Sequence, residues 1–299
     1  ISNIVQGDLK VARSSGEKLL AIANRDQNRI VEVEGHYVMG VSSFWLGEFD
    51  LSHYHLVKAI DCFDDNYEQI HINHYAQHPR IICRIKYAWL LSYMGPTEQA
   101  DNNYQMAMKE ARQLAHPFSL AYFLMNGAVA SYEIQKIDRA IQDLDECVSV
   151  TEKYGFTLWG MMARIFRCCI YCEKSGNERQ LKELEERLNS YRNAGIHLMT
   201  PFFTALLAKS YLVSGFPEKA LETIDQAIEL KKERNESWYL SEIYRIKGLI
   251  VSRLDEDDKS AEMWFRKAIK TAKKKGARML ELRAVKNLAE PGQRILQNF

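Results

Sequence analysis

Residues 204–232 read TALLAKSYLVSGFPEKALETIDQAIELKK, and the order of small and large residues in them decides the fold. Leu207, Ala208 and Tyr211 recur at helical intervals on one face of a first helix, and Gly215 with Pro217 breaks it. Ala220, Ile224 and Ala227 then line one face of a second helix. The small side chains let two helices approach closely, while Tyr211 and Ile224 fill the space beside them. Such a hairpin cannot bury its apolar face alone and needs neighbours of the same kind.

Sliding this frame along the chain finds the same grammar six more times, with Ala12, Ser52, Ala100, Ala140, Leu181 and Ala261 in the place of Ala220. The spacing stays near forty residues and is longest, at 48, between Ser52 and Ala100. This is the small-and-large pattern of the tetratricopeptide repeat. That signature is about 34 residues long, so longer helices or longer loops are expected here. The fold class expected is all-α: a right-handed superhelical solenoid of tetratricopeptide-like hairpins, about six full units with a half unit at the N-terminus and a capping helix. The half repeat falls in 1–24, on Gly7, Ala12, Gly16 and Leu19, and the repeats at about 30–64, 79–115, 117–155, 157–195, 200–235 and 237–276. A cap follows at 277–290, stopped by Pro291. Pro79, Pro117 and Pro201 stand where first helices begin, a position that needs no N–H. Pro96 and Pro217 open second helices after turns at Gly95 and Gly215. His71 to Pro79 reads as an exposed polar loop. Asp255, Glu256, Asp257 and Asp258 precede a helix ending in Lys273, Lys274 and Lys275, acid first and base last as the helix dipole favours.

Forty basic against 39 acidic side chains give a net charge of +1, which argues against a nucleic-acid or membrane-surface binder. No run of 18 apolar residues exists to span a bilayer. The six cysteines have no regular spacing, which fits a reducing, cytoplasmic compartment. A first residue other than Met and a solenoid that starts in mid-hairpin suggest a piece of a longer protein with a domain upstream.

Chemistry-bearing motifs are sparse. Neither a G-x-x-x-x-G-K-[ST] phosphate loop nor H-E-x-x-H occurs, and no nucleophile–base pair stands out, so no enzyme and no cofactor are expected. His71, His74 and His78 share a helical spacing with His53 and His55 upstream, yet converging further ligands are not visible, and no metal is expected. Cys168, Cys169 and Cys172 read as core packing rather than as a redox or metal site. Lys267, Lys270, Lys273, Lys274, Lys275 and Arg278 read as a solvated helix end.

Several phrases go beyond repeat grammar: His116-Pro117-Phe118-Ser119-Leu120-Ala121-Tyr122 after Ala111-Arg112-Gln113-Leu114, Gly155-Phe156 before Trp159, and Pro201-Phe202-Phe203 with Leu206-Leu207-Ala208. Ala261-Glu262 then leads to Gly276-Ala277-Arg278 and Glu281-Leu282-Arg283-Ala284. In this order they resemble the C-terminal tetratricopeptide region of large bacterial signalling proteins. Those proteins join a class III adenylate cyclase-like, LuxR-like DNA-binding or kinase effector to a STAND-type ATPase. The resemblance runs from about Phe44 to Ala289 and is loosest at Asp65–His78. It implies a sensor and interaction arm, with the ATPase and effector upstream.

In such solenoids first helices line a concave face. Positions beside the packing residues hold Tyr37, Lys86, Trp89, Asn126, Arg167, Lys209 and Arg245, four of them cationic. Donors and an exposed aromatic suit a protein or peptide partner with acidic character, or an anionic small ligand. On this expectation a partner in the groove biases the curvature of the arm. Reversing the charge of Lys86, Arg167 and Arg245 then weakens binding and leaves helicity intact. The alternative for these positions is a solvated wall with Glu242 and Glu133 as acidic neighbours. Self-association through the unpaired N-terminal face is the alternative function.

Overall fold

The structure, a computed structural model, describes residues 8–75, 77–254 and 258–290. Gly7, Asp255, Glu256, Asp257 and Pro291 lie outside the described residues. The expected all-α, tetratricopeptide-like architecture is what forms. Among the described residues there are fifteen α-helices and no strand, and no helix is long and apolar enough to cross a membrane.

The chain divides into two compact units, Asp8–Ala163 and Arg164 onward, the division falling inside one helix. The first unit holds α1 (Leu9–Asp26), α2 (Arg29–Leu46), α3 (Phe49–Cys62), α4 (Glu68–Tyr75), α5 (Pro79–Met94), α6 (Thr97–Leu114), α7 (Pro117–Glu133), α8 (Ile137–Tyr154) and the start of α9 (Thr157–Ser175). Each helix packs on its successor in the hairpins α2–α3, α5–α6 and α7–α8, and α5 also packs on α2, α3 and α7. The second unit holds the rest of α9, then α10 (Glu178–Asn193), α11 (Thr200–Val213), α12 (Pro217–Arg234), α13 (Leu240–Leu254), α14 (Asp258–Lys274) and α15 (Arg278–Ala289). There α11 packs on α12 and α13, and α13 on α14 and α15.

Local chemistry sets the boundaries. Asn28 caps α2 by accepting from the amides of Ile30 and Val31 at 3.1 Å. His78 and His116 do the same for α5 and α7 through Nδ1, each followed by a proline in the first turn. Gly215 turns the chain between α11 and α12 at φ 84°, a left-handed conformation that suits glycine. The small positions of the frame are where helices touch. Ala208, Ala220, Ile224 and Ala227 are fully buried, and a Cβ on Gly248 of α13 would lie 2.6 Å from Phe265 of α14.

First helices of the hairpins are buried on nearly every side. All residues of α11 from Thr200 to Leu212 are buried, as are those of α7 from Ala121 to Glu133. A helix enclosed all round must satisfy its polar side chains inside the protein.

One expectation is corrected outright. The stretch from His71 to Pro79 is not simply an exposed loop: Glu68–Tyr75 is helical, and His71 is 1% exposed with Nδ1 2.7 Å from Glu34 Oε1 on α2. His78 is buried between its capping role and Glu68, while His74 is exposed. The three imidazoles therefore do not converge, and among the described residues no cluster of three or more His, Cys, Asp or Glu could hold a metal.

Candidate functional site

Six of the seven expected groove residues are buried and paired inside the protein, so their expected presentation to solvent is corrected. In the first unit Lys86 is fully buried on α5. Its Nζ donates to Asn126 Oδ1 on α7 at 2.8 Å and lies 4.1 Å from the ring centres of both Trp45 and Trp89. Phe44 and Tyr122 complete an aromatic enclosure. Trp89, expected to be exposed, is fully buried and donates through Nε1 to the Tyr93 hydroxyl, which donates to Glu133 Oε1. Tyr37 donates to Gln77 at 3.3 Å, and burial pushes its phenol above the ordinary range.

The second unit repeats the theme with charges. Lys209 Nζ on α11 lies 3.3 Å from Glu173 of α9, both almost fully buried. Burial holds the Lys209 pKa down to about 8; Glu173 opposes that shift and Arg245 adds to it. Arg245 on α13 donates to Glu242 through Nε and Nη2 and to Asn287 Oδ1 of α15 at 2.9 Å. Burial alone would raise the Glu242 carboxyl, but Arg245 and Arg283 beside it hold it below the usual range. Glu242, named as a possible acidic neighbour, is thus the actual partner of Arg245. Arg167 on α9 is half-buried.

The pairs Tyr37–Gln77, Lys86–Asn126 and Tyr93–Glu133 are each forty residues apart, and Arg245–Asn287 forty-two. In Lys86–Asn126 and Tyr93–Glu133 equivalent positions of neighbouring hairpins therefore do meet, but as rungs of a buried polar ladder, whereas Gln77 reaches Tyr37 from the bend before α5. The cysteines behave as core: Cys168, Cys169 and Cys172 are buried, and burial pushes the Cys168 thiol up to about 11 and Cys172 to about 12. Thiols held protonated in this way are poor nucleophiles.

Open concavity appears elsewhere, on the second helices of the second unit. Two adjoining cavities of about 290 and 500 Å³ lie between α10 and α12 and share Arg192, Glu222 and Gln226. Their size is that of ligand clefts in general. Leu207 and Tyr211 of α11 form the floor of the smaller one, and Leu230 lines the larger. Glu222, Asp225, Glu229 and Glu233 recur at intervals of three and four, which places them on one face of α12. With Glu185 they make five carboxylates against Arg192 and Lys219. Tyr211 donates to Glu185 at 2.5 Å, Lys247 pairs with Asp225, and the exposed Lys232 with Glu229. Glu222 and Glu233 carry no ion pair among the described residues. Arg192 donates through Nη2 to Thr204 at 2.7 Å, whereas its Nε is buried without a partner.

No protein-family model matches the chain. It is 18% identical over 286 residues to an uncharacterized protein of Rhizobium meliloti (strain 1021), covering 95% of this chain and 28% of that protein. The chain thus spans under a third of that relative's length. Among solved structures it is similar to a Rap protein complexed with Competence and Sporulation Factor, at TM-score 0.57 and 17% identity over 87% of this chain and 74% of that one. That likeness establishes a shared helical-repeat fold. A circular tandem repeat protein aligns over 96% of this chain and 85% of its own at 12% identity, with a TM-score of 0.26, too low to indicate a common fold.

The cleft escaped the sequence reading although part of its signal was present. The acidic stripe of α12 is legible in the spacing of Glu222, Asp225, Glu229 and Glu233. That Arg192, thirty residues earlier, faces the same space is a tertiary fact.

Proposed function

We propose that this chain is a non-catalytic partner-binding arm of a larger signalling protein, cytoplasmic as its cysteine usage suggests, with effector and ATPase functions elsewhere in the parent. The observation that carries the reading is the division of labour between the two helix rows. The first helices α7 and α11 are enclosed by hairpin-to-hairpin packing and the polar ladder, while the second helices α10 and α12 keep an open, partly apolar cleft to which α11 lends only Leu207 and Tyr211. A protein or peptide partner suits such a surface better than a reaction does, because the buried ladder offers no accessible nucleophile. The Rap likeness supports the same reading, since that protein was solved complexed with a factor. The length of the Rhizobium meliloti relative supports a larger parent. Descent from a STAND-type regulator rests on the sequence resemblance.

The test is a peptide library screened against the purified chain, alongside ATP hydrolysis and cyclase assays. Saturable peptide binding with no turnover is expected. Nucleotide turnover that survives repurification would overturn it. Self-association is separated by light scattering across a concentration series: a mass that climbs with concentration and no peptide binding would favour assembly instead.

A further inference from the structure

We infer that the cleft between α10 and α12 takes a basic peptide segment, its Lys or Arg side chains meeting the carboxylates of α12 and its backbone meeting Arg192. The inference rests on the partner-binding reading above and names the chemistry of the partner.

Three observations converge on this occupant. The first is charge. A chain whose overall balance is +1 concentrates five carboxylates around two adjoining cavities, and Glu222 and Glu233 find no cation among the described residues. Like charges on one helix face repel, and a bound cation removes that cost. The second is the floor. Leu207 and Leu230 supply apolar surface beneath the acidic rim, suited to the aliphatic stems of Lys and Arg. The third is Arg192. It lines both cavities, and its Nε is a buried donor without an acceptor, a costly state that a small turn of the side chain toward a peptide carbonyl would relieve. A polycation without a backbone would satisfy the carboxylates and leave that donor unmet.

Length agrees as well. From Glu222 to Glu233 the face of α12 runs about 16 Å at the helical rise. An extended peptide covers that distance with about five residues. Cations three residues apart would sit about 10 Å apart, close to the helical separation of Glu222 and Glu229.

The experiment uses fluorescence anisotropy with the full chain and three probes: a labelled peptide of about nine residues alternating Lys or Arg with Gly and Ser, its Glu-substituted counterpart, and spermidine as competitor. The basic peptide is expected to bind saturably, more weakly as salt rises. The double variant Glu222→Gln/Glu233→Gln, both sites exposed and without an ion pair among the described residues, should weaken it about tenfold while circular dichroism stays unchanged. A control, Glu262→Gln on α14, should leave affinity as it was. Tighter binding of the acidic peptide would overturn the charge assignment and leave the partner-binding reading standing. Basic-peptide affinity unmoved in the double variant would place the site elsewhere. Displacement by spermidine at equal charge concentration would overturn the role given to Arg192. Binding of no library member at all would take down the reading beneath the inference together with it.

Discussion

Lys86 and Asn126 stand forty residues apart in the chain and meet in the core of the first unit, Nζ donating to Oδ1 at 2.8 Å. The contact joins equivalent positions on α5 and α7, so it reports the register of one hairpin against the next. Aromatic faces around the amine supply what water would otherwise give.

Removing the acceptor should cost more than removing the donor. Asn126→Ala leaves a buried amine short of a hydrogen bond and should destabilise the chain by about 2–3 kcal/mol. Lys86→Met keeps most of the volume and the ring contacts and strands only the neutral Asn126 Oδ1 rather than a buried ammonium, so it should cost less, about 1–2 kcal/mol. Urea midpoints at constant m-value compare the two. Equal losses would show that Asn126 is incidental to the placement of Lys86.

Charge reversal at the ladder should unfold rather than retune. Arg245→Glu sets a second carboxylate against the buried Glu242 and removes the donor to Asn287. A loss of at least about 3–5 kcal/mol follows from breaking such a pair. Far-UV circular dichroism should show lowered helicity, where the sequence alone led to the opposite expectation. Helicity retained at the wild-type melting temperature would mean that Arg245 can reach solvent.

Acid should weaken the first unit through His36 and His55, whose Nδ1 atoms lie 2.8 Å apart. One Nδ1 must donate and the other accept, so the two Nδ1 atoms cannot both carry a proton in that geometry. Burial lowers the His55 pKa from 6.5 to about 4 and lowers that of His36, to which Lys58 adds. The unfolded chain therefore takes up protons that the folded chain refuses. Stability from the pair is fully present above about pH 6.5 and is lost as pH falls toward 4. The double variant His36→Phe/His55→Leu should show a flatter decline in unfolding midpoint across that window. Parallel declines in both proteins would assign the acid sensitivity to other groups.

Gly248→Ala sets two effects against each other. Helix propensity favours alanine by about 1 kcal/mol. The new Cβ, however, would sit 2.6 Å from Cε1 and 2.8 Å from Cδ1 of the fully buried Phe265. Overpacking of this kind costs about 1–3 kcal/mol, so net destabilisation is expected. Adding Phe265→Leu should recover part of the loss relative to Phe265→Leu alone. A stabilised single variant would show that α13 and α14 can separate slightly without penalty.

The amino-acid sequence by itself determined the helices of the hairpins and the positions at which they touch, though not the short α4. Small residues at Ala208, Ala220 and Ala227, a left-handed Gly215 and Pro217 in a first turn act over a few residues, where spacing along the chain and distance in space are nearly the same thing. It also placed Lys86, Asn126 and Arg245 on equivalent faces of their repeats. Which of those faces is open to water was a tertiary decision. Helical periodicity shows that a residue lies beside the packing seam, but not whether a hairpin forty residues away closes over it. Lys86, Lys209 and Arg245 were closed over and found partners, whereas the carboxylates of α12 were left around a cleft that α10 completes. Charge written in a sequence carries no sign of its desolvation. Only the packing of distant segments set the buried cations apart from the exposed acids.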